Sequence, residues 1–303
     1  MAIGDLPAPL AGTGNIAGTG NIRRRRRVDL LMRGGAVAAA VIAVVVLGMV
    51  VVSVIQRGAS ALSLSFLTED PAVGLGAAGG GIANAIIGSV LIVAVATAIA
   101  LPLGVLIAVH LTELASPRAA AALRLALDLL NGTPTIVVGE FIFGLLVVAH
   151  GQSGLAASIA LAVIMLPLIA RTTQEMLLLV PRDLRDAANA LGIRRWRAIV
   201  GVILPSALGG ILTGAVLAVA RAFGETAPLI LCDSICGNGT SLALFGTAIP
   251  NIPVDIYRYS ESGFPTDEAR AWGAAIVLIA MILVGNLTAR VLLARQRRRL
   301  LAR

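Results

Sequence analysis

Six long segments almost free of charged side chains dominate this chain of 303 residues. Five of them carry no charge at all, and they cover residues 36–55, 82–109, 151–170, 198–220 and 271–289. The sixth and weakest segment, about residues 133–149, contains Glu140. About 20 apolar residues, each rising ~1.5 Å along a helix, cross the ~30 Å hydrocarbon core of a bilayer. The pattern therefore predicts six transmembrane helices.

Composition excludes the main alternatives to a helical membrane protein. Hydrophobic residues make up 58% of the chain and charged residues only 13%, against about 25% charged residues in a typical soluble domain. This excludes a soluble enzyme, a disordered protein and a disulfide scaffold. Aromatic residues, at 3%, are too few for the girdles of a transmembrane barrel. We therefore expect an all-α, polytopic membrane protein.

The first segment has a second possible interpretation. It is followed by Ala59-Ser60-Ala61, which resembles a signal-peptide cleavage site. Its apolar stretch is longer than the usual 7–15 residues of a signal peptide, so we expect a retained helix.

The arginines predict the orientation of the chain. All 24 cationic residues are arginine; with six spans, 20 of them fall on one side, Arg57, Arg258 and Arg270 fall on the other, and Arg221 falls at or within a span. By the positive-inside rule, both termini are expected in the cytoplasm. The net charge of +8, placed beside apolar spans, is then an insertion signal, and we expect no nucleic-acid binding.

These features divide the chain into three predicted parts. Residues 1–33 form a disordered, basic cytoplasmic tail, and residues 34–294 form the transmembrane domain. That domain includes a cytoplasmic loop at about 171–200 and an irregular external loop at about 231–270. Residues 295–303 form a second basic cytoplasmic tail.

No catalytic or metal-binding constellation is present in the sequence. His110 and His150 are expected near opposite membrane faces, so they cannot share a metal. A phosphate-binding P-loop needs a lysine, which the chain lacks. A membrane-embedded enzyme would need clustered acids, a His pair or an activated Ser on facing helices, and none is found. Cys232 and Cys236 are spaced either for an external disulfide or for two free thiols at a helix end.

The cytoplasmic loop contains a predicted short helix. Asp183 is placed as its N-cap, Ala187, Ala188 and Ala190 give it a surface of small side chains, and Gly192 suits a left-handed C-terminal cap. Taken alone, this helix could simply lie at the membrane interface with its arginines near lipid phosphates.

The spacing of residues in this loop resembles a known motif. Asp186-Ala187-Ala188, three residues, Gly192, nine residues and then Val202-Ile203-Leu204-Pro205 resembles the EAA loop of ABC-importer permeases, which usually begins with Glu. Residues 65–68, 79–88, 132–137, 166–173 and especially 214–229, with Gly-Glu-Thr-Ala-Pro-Leu at 224–229, resemble the PstA-type permeases of phosphate importers.

The resemblance implies a permease of an ATP-driven phosphate importer in a bacterial inner membrane. It implies that Asp183, Asp186, Ala187, Ala188 and Gly192 belong to a loop that docks on a cytoplasmic ATPase. The implied partners are a second related permease, two ATPase subunits that bind ATP and Mg²⁺, and an external phosphate-binding protein; this chain itself would hold no cofactor. The alternative is a permease for another oxyanion such as sulfate or molybdate.

Arg221 and Glu225 stand out because charges are costly at membrane depth. They are four residues apart, so a helix would place them on one face. Gly224 and Pro228 should weaken the helix there. The pair could line an anion pathway together with Thr226, or it could join two helices structurally; the resemblance favours the pathway.

Two further acidic residues are expected near the membrane. Asp128 should lie at the inner membrane edge and pair with Arg124, four residues earlier. Glu140 is expected either to be protonated through burial or to pair with an arginine of another helix.

Overall fold

A computed structural model of the protein describes residues 22–74, 76, 77, 79–234 and 243–301. The chain divides into two compact units, residues 1–53 and 54–303. Within the described residues the fold is helical, and its only strand-like feature is one isolated bridge between Pro71 and Gly80. The predicted all-α class is confirmed.

The helices, in chain order, have the following bounds. α1 is Ile22–Gly58, α2 is Leu64–Thr68, α3 is Ala83–Val109, α4 is Pro117–Gly132, α5 is Thr135–Ile142, α6 is Val148–His150 and α7 is Gly154–Leu178. α8 is Arg182–Ala190, α9 is Arg195–Ala198, α10 is Leu204–Phe223, α11 is Ala227–Cys232, α12 is Ile252–Glu261 and α13 is Pro265–Leu301. π-helical turns at His110–Leu114, Phe143–Val147 and Ile199–Ile203 extend α3 and join α5 to α6 and α9 to α10.

In the part of the chain that the structure describes, five helical rods are long and apolar enough to cross a membrane. They are Arg25–Ala61, Ala83–Leu114, Gly154–Leu178, Arg195–Phe223 and Pro265–Val291. The weakest predicted span is the exception, because Pro117–Gly132 and Thr135–His150 form a pair bent by 99°. Pro134 precedes the second helix of that pair, and a proline disfavours helical conformation in the residue before it. The described residues thus contain five candidate spans, or six when the bent pair is counted as one.

Helix boundaries depart from the predicted parts at both tails. Residues 22–33, predicted to be disordered, belong to α1, where apolar residues at 28 and 30–32 continue the helix and Arg33 pairs with Asp29 at 3.0 Å, one turn away. Residues 295–301 likewise continue α13. Residues 1–21 lie outside the described part of the chain.

The two predicted loops contain more helix than expected. α7 continues to Leu178, so the cytoplasmic loop begins eight residues later than the predicted start at residue 171. The external loop, predicted to be irregular, contains α12, whose N-cap Asn251 accepts a hydrogen bond from the Val254 N–H at 3.1 Å. Pro253 does not prevent this helix, because proline is tolerated in the first helical turn.

Small side chains let α3, α7 and α10 pack closely in the second unit. Ala96 and Ala100 on α3, and Ala157 and Ala160 on α7, are fully buried. A Cβ on Gly104 would lie 2.7 Å from the Ile169 side chain, so this position of α3 requires glycine. In membranes, close helix packing of this kind replaces the hydrophobic drive that holds soluble helices together. One end of this bundle carries α8 and the opposite end carries α12.

Candidate functional site

The first candidate site lies where α10 ends. α10 stops at Phe223, and the N–H groups of Gly224 and Glu225 donate to the carbonyls of Arg221 and Ala222 at 3.0 and 3.2 Å. Residues 225 and 226 are not helical, and the chain resumes as α11 at Ala227. The predicted interruption of the helix is therefore confirmed, and it frees backbone groups beside the charged pair.

Arg221 and Glu225 form the ion pair that their spacing predicts. Arg221 Nε donates to Glu225 Oε1 at 3.4 Å. The Arg221 side chain is 48% exposed and that of Glu225 is 14% exposed, while Thr226 is half-buried. Among the contacts of the described residues, only Nε of Arg221 is engaged, so Nη1 and Nη2 remain available as donors.

The position of Arg221 along the bundle follows from its neighbours. Ala222 and Phe223, directly after it, line a small space together with Ser89 and Val93 of α3. Those two residues lie six to ten positions into α3, or roughly 9–15 Å from its N-terminal end. Arg221 therefore sits well inside the length of the bundle and away from its ends.

The Arg221 side chain is not part of the lining of the apolar cavity formed by its neighbours in sequence. This cavity, of about 250 Å³ between α3, α10 and α13, is lined by Ala220 and Phe223 and is almost wholly apolar. Arg221 instead lies on the outside of this chain. A closed polar passage at this position needs a second surface to complete it.

The second candidate site is α8, at the opposite end of the second unit from α12. Its N-cap residue is Pro181, and Asp183 lies in the first turn as an exposed residue, so the prediction of Asp183 as N-cap is wrong. Pro181 starts the helix instead, since its fixed φ suits a helix start. The predicted left-handed cap is confirmed, because Gly192 has φ +67° and its N–H donates to the Asn189 carbonyl at 3.0 Å.

The two faces of α8 differ. Asp183, Asp186, Ala187 and Ala190 are exposed. Ala188 is only 4% exposed because it packs against this chain, so its predicted place on a partner-facing surface is wrong.

Arg185, on the inner face of α8 one turn before Ala188, makes contacts that sequence reasoning missed. Its Nε and Nη2 donate to Glu113 Oε1 at 3.2 and 3.1 Å, and Nη1 and Nη2 donate to the carbonyls of Val180 and Leu177 at 2.8 and 2.7 Å. The only local signal is an arginine at the i−3 position of a small residue. A polar cavity of about 600 Å³ adjoins this cluster.

The end of the second unit that carries α12 contains a buried polar cluster. Asp233 is fully buried, and Oδ1 accepts from the Ile249 N–H at 2.7 Å, while Asn251 Nδ2 lies 3.4 Å from Oδ2. Burial raises the pKa of the Asp233 carboxyl to about 8, although both hydrogen bonds act to lower it. The Ile252 N–H donates to Ser89 Oγ of α3 at 2.9 Å. Nothing in the sequence spacing predicts this cluster.

The remaining predicted residues have mixed outcomes. Cys232 carries a buried free thiol that donates to the Gly139 carbonyl at 3.7 Å, and Cys236 lies outside the described residues. Asp128 pairs with Arg171 of α7 and not with Arg124, because α4 packs against α7. Glu140 is exposed on this chain, so the predicted burial of its side chain does not occur within the chain itself.

Known proteins resemble this chain in sequence and in fold. Residues 100–301 match the family described as binding-protein-dependent transport system inner membrane component. The "Phosphate transport system permease protein PstA" of Yersinia pestis is 37% identical over 278 residues, covering 91% of this chain and 92% of that protein. The protein of the same name from Pasteurella multocida (strain Pm70) is 40% identical over 243 residues, covering 79% and 85%. A chain of the bacterial alginate ABC transporter, solved with an alginate pentasaccharide-bound periplasmic protein, has a TM-score of 0.64 at 14% identity and covers 88% of this chain and 94% of its own.

Proposed function

This chain belongs to the family of binding-protein-dependent transport system inner membrane components, and from that premise we propose that it is the permease subunit of an ATP-driven phosphate importer and forms half of the translocation pathway. The observation that most supports this proposal is the guanidinium of Arg221, which has free Nη donors at a helix break well inside the bundle. The names of the two related proteins support phosphate as the substrate.

The chemistry of Arg221 suits a phosphate ion in transit. Phosphate at neutral pH is an anion that needs a fixed positive charge at low dielectric, and the forked guanidinium donors match its oxygens. Glu225 takes up Nε and part of the charge, so phosphate binds weakly enough to leave again, as conduction requires. The half-buried Thr226 hydroxyl adds a further donor.

A second, related permease completes the pathway. The Arg221 side chain is 48% exposed on the outside of this chain, and placing it against lipid would be costly. A facing permease would enclose it in a polar passage. Neither chain then forms the pathway alone.

The helix α8 supports coupling to cytoplasmic ATPase subunits. Its outer face presents Asp183, Asp186 and Ala187 beside Leu184, which is 40% exposed. Small and short side chains allow close approach of a partner protein. Two ATPase subunits, which bind the ATP and Mg²⁺, would engage the two permeases here, and their closure would pull on α8.

The arginines support the orientation. Within the second unit, the described arginines outside the spans lie mostly at the helix ends on the side of α8, which the positive-inside rule places in the cytoplasm. Both termini are then cytoplasmic, and the end with α12 faces an external phosphate-binding protein.

Uptake by the complete importer in proteoliposomes tests this proposal. Arg221→Gln should lower phosphate uptake by one to two orders of magnitude, because a hydrogen bond to a charged group contributes about 1.5–3 kcal/mol. Arg221→Lys should retain part of the rate, because it keeps the charge and loses the fork. Arg124→Gln, at an exposed arginine of α4, is the matched control and should transport normally.

Two results would contradict the proposal. The first is wild-type uptake by Arg221→Gln in a normally assembled complex. The second is competition of excess sulfate with labelled phosphate as effective as that of unlabelled phosphate, which would favour an importer of another oxyanion.

A further inference from the structure

We infer that Arg185 and Glu113 act as a mechanical tie that makes α8 move as one body with α3 and α7, and that losing the tie uncouples ATP hydrolysis from transport. The inference rests on the proposed function, in which α8 receives the motion of the ATPase. It concerns the step after docking: how motion of a short surface helix reaches the membrane helices.

The tie joins three separate elements through one guanidinium. Arg185 donates twice to Glu113, in the π-helical turn that extends α3, and donates once each to the carbonyls of Leu177 and Val180 at the C-terminal end of α7. Four of its five N–H donors are therefore used. Glu113 lies 72 residues away in sequence, so the contact joins elements that the chain does not connect directly.

The site is protected from solvent, which gives these bonds strength and direction. The Arg185 side chain is 22% exposed and that of Glu113 is 10% exposed. Charge-assisted bonds in such surroundings are stronger than neutral ones. The C-terminal carbonyls of α7 carry the negative end of its helix dipole, so they favour a cation at this position.

Apart from the contacts of Arg185, α8 buries little of its surface against the rest of the second unit. Ala188 is its only buried residue. The chain turns at Val180 before α8 begins. After α8 it makes a left-handed turn at Gly192, which has a φ of +67°. Without the tie, α8 would remain attached by these two turns and by its packing on α9 and the π-helical turn Ile199–Ile203, and no charged contact would join it to α3 or α7.

The helices that receive the motion already form one unit. A Cβ on Gly104 of α3 would lie 2.7 Å from Ile169 of α7, and their facing alanines are fully buried. Val109 and Leu177, next to the tie, share a cluster with Ile199 and Ile203 at the start of the rod that contains α10. Displacement of α8 through Arg185 is thus passed to the packed helices that lead to Arg221.

The test measures phosphate uptake and ATP hydrolysis together in the reconstituted importer. Arg185→Gln should keep ATP hydrolysis within about twofold of wild type and lower the phosphate carried per ATP at least tenfold. Arg185→Lys, whose side chain can reach one acceptor at a time, should carry an amount of phosphate per ATP between those of Arg185→Gln and the wild type. Arg182→Gln, an exposed arginine of the same helix, is the matched control and should keep the wild-type ratio.

A double variant separates the tie from simple destabilisation. Arg185→Gln alone leaves Glu113 as an unpaired charge, whereas Arg185→Gln with Glu113→Gln removes that charge. If the pair only stabilises the fold, the double variant restores transport along with assembly, and the inference is wrong. If the pair transmits motion, the double variant assembles normally and stays uncoupled.

A second measurement does not depend on the substrate. Two spin labels, at Ala190→Cys on α8 and at Leu114→Cys in the π-helical turn that extends α3, report their separation in the assembled complex with and without ATP. The labelled chain also carries Cys232→Ala and Cys236→Ala. We expect one narrow distance distribution in both states, and a broad one with Arg185→Gln. An unchanged distribution in that variant overturns the inference, and this result stands even if the wild-type importer carries no phosphate, which would overturn the proposed function alone.

Discussion

Replacing Gly214 by alanine should separate α7 from α10, the helix that carries Arg221. A Cβ at this position would lie 2.2 Å from Thr172 Oγ1 and 2.6 Å from Thr172 Cβ, where ordinary contact begins at 3.4 Å. Thr172 cannot easily rotate away, because its hydroxyl donates to the Leu168 carbonyl at 2.9 Å and its side chain is β-branched. The helices must therefore part by about 1 Å, since close packing leaves no slack.

The expected loss of stability follows from two opposing terms. Overpacking of a tight contact costs about 1–3 kcal/mol, while Gly→Ala within a helix gains about 0.5–1 kcal/mol. The middle of these two ranges gives a net destabilisation of about 1 kcal/mol, which lowers the Tm by about 2 °C in a chain of this size. Thermal unfolding of the purified protein in detergent measures this shift.

Two other glycines on the same rod provide matched controls. A Cβ on Gly201 would have nothing within 4 Å, so Gly201→Ala should raise the Tm slightly. A Cβ on Gly210 would lie 2.1 Å from Sδ of Met176, a flexible side chain that can move aside, so Gly210→Ala should fall between them. Equal Tm values for Gly214→Ala and Gly201→Ala would refute the close contact of α7 with α10.

Two further predictions concern the end of the second unit that carries α12. Burial raises the pKa of Asp233 from 3.8 to about 8, so between these values the folded state holds a proton that the unfolded state releases, and stability should fall as pH rises from about 4 to 8. Asp233→Asn should flatten this dependence of the Tm on pH. An unchanged slope in that variant would contradict a raised pKa at Asp233. Arg270 pairs with the buried Asp267 at 3.2 Å and donates to the backbone carbonyls of Ala77 and Gly79. Because removing one partner of a buried pair costs about 3 kcal/mol or more, Arg270→Gln should speed amide hydrogen exchange at residues 76, 77 and 79–81, while the control Glu268→Gln, at an exposed residue, should not. Equal exchange in both variants would contradict the role of Arg270 in holding this loop.

Part of the functional site could be predicted from local spacing. Arg221 and Glu225 are four residues apart, so their pairing depends only on helix geometry, and the break beyond Phe223 follows from Gly224 and Pro228. The left-handed cap at Gly192 is equally local. Such features are decided within a few residues, where the conformational preferences of the chain dominate.

Other contacts were mispredicted or missed because their partners are remote. Asp128 has Arg124 one turn away and yet pairs with Arg171. Ala188 looks like a surface residue by composition but packs inward, and Arg185 reaches Glu113 across 72 residues. In each case the choice depends on which helix lies alongside, and no periodicity within one segment contains that information.

The amino-acid order alone determined that this protein is a bundle of membrane helices and roughly where each helix crosses. In a bilayer each segment must bury its own backbone polar groups and offer an apolar surface, so the decision is made segment by segment. Only the packed structure decided that Arg221 lies on the outside of this chain, that Asp233 is buried, and that α8 is tied to α3 and α7. Those outcomes depend on close approach between helices distant in sequence, which the glycines and alanines at their contacts permit.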